Sequence, residues 1–371
     1  MLTTNEQRIL ALLEQDPFLS QQEIADHLGL NRSTVAGLIS NLMTKKYLLG
    51  RAYVLNHATE VICIGGMNMD RKYVLGDNWQ PKTSNPVMAS MSVGGVARNI
   101  AENLGRLGRA VSLLSVAGRD HDYDWIRTQT ESYVNLQQVT QLEGQTTSSY
   151  TAILDSQGDM QLGLADMAIC DQMTPDWLYR HRSWLAQARL LVVDLNLPLE
   201  TVTATIELAR QQEQELVVIP VSSPKMTHLP QDLTGVTWLV VNQDESEAYF
   251  GCQVASEEDV TALAEKWLSR GLENVLMTRG SQASYYANQS GERQYIQPPR
   301  VEKVVDVTGA GDSFSAGLIH GLLEGKSAIE AIAYGLTNAY HTIQTDATVR
   351  VDLSAQLLEQ NYQQLKEKGA I

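Results

Sequence analysis

Apolar positions follow two rhythms along the chain, and the change falls near residue 57. Before it, "NEQRILALLEQDP" sets Ile9, Leu12 and Leu13 on one helical face and stops at Pro17. "SQQEIADHLGL" then places Ser20 as an N-cap with Glu23 three residues on, the spacing of a capping box. After Gly29, "NRSTVAGLISNLMTKKYL" carries Val35, Leu38, Ile39 and Leu42 as a buried stripe behind Asn31 as cap. Three short helices with a tight second link predict a helix-turn-helix, and "YLLGRAYVL" predicts a small hairpin wing.

From about residue 60 the apolar residues come in short, nearly continuous, β-branched runs. "VICIGG", "AVSLLSVAG", "ARLLVVDLN", "LVVIPVS", "TWLVVN" and "NVLMTRG" read as strands buried on both faces. Amphipathic helices such as "VARNIAENLGRLG" and "EEDVTALAEKWLSRG" lie between them. The alternation predicts an α/β domain over 58–371, with a mostly parallel sheet and helices on both faces, after a small α(+β) unit over 1–57. "DRKYVLGDN" and "TTSSYTAILDSQGDMQLGLAD" alternate apolar and polar residues without partner helices, which predicts a small side sheet or lid over about 69–92 and 145–166.

Composition narrows the class. The chain has 371 residues, 43% hydrophobic and 19% charged, as in ordinary globular proteins. Its net charge of -15 disfavours nucleic acid and anionic membrane for the molecule as a whole, so any DNA contact must come from a local patch. Cys63, Cys170 and Cys252 are far apart, without disulfide or zinc spacing. With no apolar run near ~20 residues and no basic-then-apolar leader, the expectation is a cytoplasmic protein that makes no membrane contact.

The candidate chemistry lies at predicted strand ends, where an open α/β sheet binds ligands. "GGMNMD", "VGGVARN", "NQDE" and "TGAGD" are four such ends. In the last, Gly309, Ala310 and Gly311 present backbone amides at a helix start, where they can stabilise the oxygens of a transferring phosphoryl group. Asp312 follows, placed to take a proton from an attacking hydroxyl. The bland alternative makes Asp312 a helix N-cap. Asn68 and Asp70 share a strand face and can fork vicinal hydroxyls, or can simply cap a turn.

"VGGVARNIAENLGRLG" and "DVTGAGDSFSAGLIHGLLEG" resemble the two signatures of the PfkB, or ribokinase-like, family of carbohydrate and nucleoside kinases, in order and about two hundred residues apart. The resemblance covers about 60–350. It implies a Rossmann-like fold with a β-lid, ATP and Mg2+ as cosubstrates, and Asp312 as catalytic base. It further implies sugar contacts from Asn68, Asp70, Gly94, Gly95 and Asn99. Asn242 and Glu245 match an NxxE element that serves the phosphates and, indirectly, Mg2+, while Thr278 and Gly280 line the nucleotide side. Asn338 is the candidate for the adenine edge and Asp306 for a K+ site. "TRGSQAS" departs from the family in carrying Ala283 where a second glycine is usual.

Within that family "SNPVMASMSVGGVARNIAENL", "TTSSYTAILD" and "LADM" are most similar to the pseudouridine kinase branch, whose acceptor is a nucleoside 5'-hydroxyl. Thr147, Ser148 and Ser149 would then lie over the base or ribose. The alternatives are a kinase of a free sugar such as ribose, and a transcription regulator that senses a sugar or nucleoside through a kinase-like domain. Residues 1–57 resemble bacterial winged-helix domains, which implies DNA contacts from Arg32, Ser33 and Thr34, with Lys45, Lys46 and Arg51 near phosphates. The exposed lid strands, and the two half-sites such DNA readers bind, predict a homodimer.

Overall fold

The structure, a computed structural model, describes residues 2–15, 19–48 and 59–371. The chain divides into two compact units, Met1–Thr59 and Glu60–Ile371.

In the first unit, helices α1 (Thr4–Gln15), α2 (Gln21–Leu28) and α3 (Arg32–Thr44) enclose Ile9, Leu13, Ile24, Val35, Ile39 and Leu42. The capping box forms, with Ser20 N–H donating to the Glu23 carboxylate at 2.7 Å and Glu23 N–H to Ser20 Oγ at 3.2 Å. Gly29 ends α2 at φ 65, a left-handed geometry that suits glycine. Asn31 caps α3 by accepting from Thr34 N–H. The hairpin wing falls mainly on 49–58, outside the described residues, as does Arg51.

The second unit is built on a sheet of order β14-β13-β12-β11-β10-β9-β1-β4. Its strands are β1 (Val61–Ile64), β4 (Val111–Leu114), β9 (Leu190–Asp194), β10 (Glu215–Ile219), β11 (Trp238–Asn242), β12 (Asn274–Arg279), β13 (Gln282–Asn288) and β14 (Arg293–Ile296). The six from β4 to β12 run parallel, and they are the six apolar runs of the sequence. Alternate residues feed opposite sides, Ile62 and Ile64 one core and Val61 and Cys63 the other. That two-sided burial explains the unbroken apolar runs. β13 and β14 add an antiparallel edge.

Two further sheets complete the unit. The lid sheet has the order β3-β2-β7-β8, from β2 (Asn68–Leu75), β3 (Val87–Gly94), β7 (Ser149–Leu154) and β8 (Met160–Asp166). β5 (Val116–Gly118) and β6 (Thr140–Leu142) form a parallel pair. The helices are α4 (Val96–Arg106), α5 (His121–Thr130), α6 (Pro175–Arg180), α7 (Arg182–Leu185), α8 (Leu199–Gln211), α9 (Gln243–Phe250), α10 (Glu257–Leu268), α11 (Ala310–Leu323), α12 (Ala328–Thr342) and α13 (Ala355–Glu367). Among the described residues no helix is long and apolar enough to cross a membrane.

Candidate active site

The carboxyl ends of β1 and β9 are joined by Asp194, which is fully buried. Its carboxylate accepts from Gly66 N–H at 2.9 Å, Ala97 N–H at 3.0 Å and Asn196 N–H at 2.9 Å. These bonds oppose, without cancelling, the upward push that burial gives its pKa. One side chain thereby fixes the "GGMN" turn to the start of α4. The sequence signal was the aspartate closing the otherwise apolar "LLVVD", and it went unread.

Four sequence-predicted residues meet on that turn. Asn68 donates its amide to Asp70 at 2.5 Å. A Cβ on Gly94 would lie 2.2 Å from Asp70 Oδ2 and push that carboxylate aside, while one on Gly95 would lie 2.4 Å from the Gly66 carbonyl oxygen, where only glycine fits. Gly95 also sits at φ 101. Burial raises the Asp70 carboxyl to about 6 despite the Asn68 bond and the positive charges of Arg98 and Lys72.

Across from them stands the start of α11. Its N-cap is Gly309, at φ 77, where a Cβ would lie 2.2 Å from the Thr348 carbonyl oxygen. Asp312 is therefore in the first turn, and the N-cap alternative does not apply. The Ala310 N–H donates to the Val307 carbonyl at 3.2 Å, so this amide is not open as the sequence reading has it. Those of Gly311 and Asp312 have no hydrogen-bond partner among the described residues. Asn99 donates its amide to Asp312 Oδ2 at 2.7 Å. Desolvation lifts the Asp312 carboxyl to about 7, opposed by Asn99 and Arg98 and reinforced by Asp194 and Asp70.

Beyond Gly311 opens a cavity of about 1040 Å3. Val301, Val304, Phe314, Leu336, Ala339 and Ile343 contribute apolar wall, while Asn242, Thr278 and Gly280 contribute polar edge. The arrangement is a buried carboxylate between the turn that carries Asn68 and Asp70 and a cavity of about 1040 Å3, with two open amides at the junction.

Residues 58–353 match the family model described as pfkB family carbohydrate kinase. The chain belongs to the pfkB family. It is 31% identical over 339 residues to an uncharacterised sugar kinase of Escherichia coli K12, YeiI, covering 91% of this chain and 93% of the relative. It is 30% identical over 295 residues to the pseudouridine kinase of Escherichia coli K12, covering 79% of this chain and 93% of that one. Among solved structures, a carbohydrate kinase from Agrobacterium tumefaciens superposes with a TM-score of 0.71 at 29% identity, covering 82% of this chain and 97% of the other. Residues 2–47 match a model described as winged helix-turn-helix DNA-binding.

The pfkB fold places several expected residues elsewhere. Asn338 is fully buried, donating to the Ser313 carbonyl at 2.8 Å and to Asn103 Oδ1 at 3.1 Å, and it is not on the cavity wall, where α12 presents Leu336, Ala339, Tyr340 and Ile343. Ser148 is buried with its hydroxyl 3.6 Å from Cys170 Sγ, and Thr147 is buried and bonded to Asp120. Both lie at the foot of the lid with their hydroxyls turned to these protein partners. Asp306 carries Thr308 on one carboxylate oxygen and Lys72 on the other at 3.2 Å.

Glu245 is buried and turned back on its own N-cap, accepting from Asn242 N–H at 2.8 Å. Burial raises its carboxyl. Among the described residues no group of three His, Cys, Asp or Glu side chains is placed to hold a metal ion. A magnesium ion fits that donor set only in its usual kinase form, held mainly by phosphates and water.

In the helix-turn-helix unit, Arg32, Ser33 and Thr34 are exposed at the start of α3. The hydroxyls of Ser33 and Thr34 both donate to Asn31 Oδ1, at 2.8 and 2.6 Å. Lys45 forms a 2.8 Å ion pair with buried Glu6.

Proposed function

We propose that the protein transfers the γ-phosphoryl group of ATP to a nucleoside hydroxyl, with pseudouridine as acceptor through its 5'-hydroxyl. The observation that carries this reading is Asp312, tied to Asn99 on the hydroxyl-binding side and adjoining Gly311, which lines the cavity. From there it takes the proton of the attacking hydroxyl while the Gly311 and Asp312 amides meet the phosphoryl oxygens. A carboxyl near 7 is matched to that task at neutral pH. Asn68, Asp70, Gly94, Gly95 and Asn99 hold the ribose, and Asn242, Thr278 and Gly280 the nucleotide. Mg2+ brought with ATP neutralises phosphate charge, with Glu245 acting at most by shaping the Asn242 turn.

The likeness to the pseudouridine kinase supports the acceptor. A panel of pseudouridine, uridine, inosine and ribose, assayed with ATP and Mg2+, tests it. Pseudouridine should lead in kcat/KM by at least ~10-fold, the scale of discrimination that placed hydrogen-bonding groups readily supply. A lead for ribose would overturn the nucleoside reading, and no ATP turnover with any acceptor would favour a sensing regulator.

The helix-turn-helix match favours a second role, in DNA binding through Arg32, Ser33 and Thr34. Three free cysteines suit a reducing cytoplasm. We also propose a homodimer through the outer lid face. Val87, Met91, Leu162 and Leu164 lie exposed on one side of that sheet, with Met91 and Leu164 in register through Arg71 and Thr151. Sedimentation should give a dimer for the protein and a monomer for Met91→Lys/Leu164→Lys. An unchanged mass in the double variant would place any dimer elsewhere.

A further inference from the structure

Arg98 lies one residue before Asn99 in α4 and is only 1% exposed, on a helix where all residues from Ala97 to Leu104 are buried. A buried guanidinium persists only when its donors are satisfied. Here each is taken. Nε donates to Thr130 Oγ1 at 3.1 Å, at the end of α5. Nη1 donates to the Val93 carbonyl at 3.2 Å, at the foot of lid strand β3. Nη2 pairs with Glu102, which is itself held by Arg106.

The remaining contact bears on the chemistry. Nη1 also donates to Asn99 Oδ1 at 2.7 Å. A carboxamide has one acceptor end and one donor end. With its oxygen claimed by Arg98, the Asn99 NH2 must face the other way, and it does, donating to Asp312 Oδ2 at 2.7 Å. A rotated amide would set its oxygen against the carboxylate, two acceptors with no proton between them.

We propose that Arg98 is a positioning residue for the proposed base: through Asn99 it fixes the donor that meets Asp312, and its charge offsets the carboxylates beside that residue. The inference rests on the base role of Asp312 in the proposed function. The charged groups around Asp312 come from three elements, Arg98 on α4, Asp70 on β2 and Asp194 on β9. Two are carboxylates that oppose its ionisation, and Arg98 opposes them. The Val93 contact ties the same guanidinium to the lid, so displacement of β3 reaches the base through one side chain.

The test reads the carboxyl directly, by 13C NMR of the full-length protein labelled at aspartate Cγ, with the Asp312 signal assigned as the one lost in Asp312→Asn. In Arg98→Met the Asp312 midpoint should rise by ~1 pH unit, the lower end for loss of a nearby opposite charge. Arg98→Lys keeps the charge but not the fork and should shift it less. A midpoint within ~0.3 unit of wild type in folded Arg98→Met overturns the proposal, since the measured effect of a nearby charge is larger. If that variant does not fold, Arg98→Met/Glu102→Met, which leaves no buried charge of the pair unmatched, is read by the same criterion. The base role fails separately, if Asp312→Asn keeps its turnover.

Discussion

Asp312→Asn should lower turnover with ATP and acceptor by at least ~100-fold, the lower range for loss of a general base. Asparagine keeps the size of the side chain and can still bond Asn99, so KM for the acceptor should change little. Stability separates this loss from misfolding. The folded carboxyl sits near 7 and an unfolded aspartate near ~3.9, so the native state binds its proton more tightly and stability falls as pH rises between those values. Asparagine carries no such cost. The thermal midpoint of the variant relative to wild type should therefore be higher at pH 8 than at pH 5. Wild-type turnover in a folded variant would rule out Asp312 as the base.

Asp194→Ala should produce the largest loss of stability. It removes the acceptor for three backbone N–H groups, of Gly66, Ala97 and Asn196, at a site closed to water. Each unsatisfied buried donor costs about 1–3 kcal/mol, partly offset because a desolvated carboxylate is removed too. A net loss of roughly 3 kcal/mol should lower the thermal midpoint by about 6–12 °C at 2–4 °C per kcal/mol. Asp194→Asn, which keeps one acceptor oxygen, should fall between. A midpoint within ~1 °C of wild type for the alanine variant would show that the "GGMN" turn is held by something else.

The sequence made the parallel sheet legible because each of its six strands is apolar on both faces, a pattern helices of that length do not share. It did not reveal β13 and β14. "QASYYANQS" is buried from Ser284 to Asn288 but mixes Ser284 and Asn288 with its tyrosines, and "ERQYI" is half exposed, so neither shows the unbroken apolar run that marked the others. At the site, glycine was the best guide: Gly94, Gly95 and Gly309 sit where a Cβ would strike backbone or Asp70. Side-chain direction was harder to read. Asn338 and Ser148 are polar residues near the site in the chain, yet both face inward to partners that only the folded chain supplies. Arg98 and Asp194 were missed for the converse reason, since a buried charge inside an apolar segment becomes meaningful only when its distant acceptors or donors are known.

Two carboxyls of one site, Asp70 near 6 and Asp312 near 7, straddle neutral pH from below and at the midpoint. Near pH 7 the site therefore retains a fraction of a proton that a pair of exposed aspartates would have shed. An acceptor whose hydroxyls donate to both carboxylates favours their ionised forms and expels that fraction into the buffer. Acceptor binding is thus also an acid release, and its heat includes the buffer's own enthalpy of protonation.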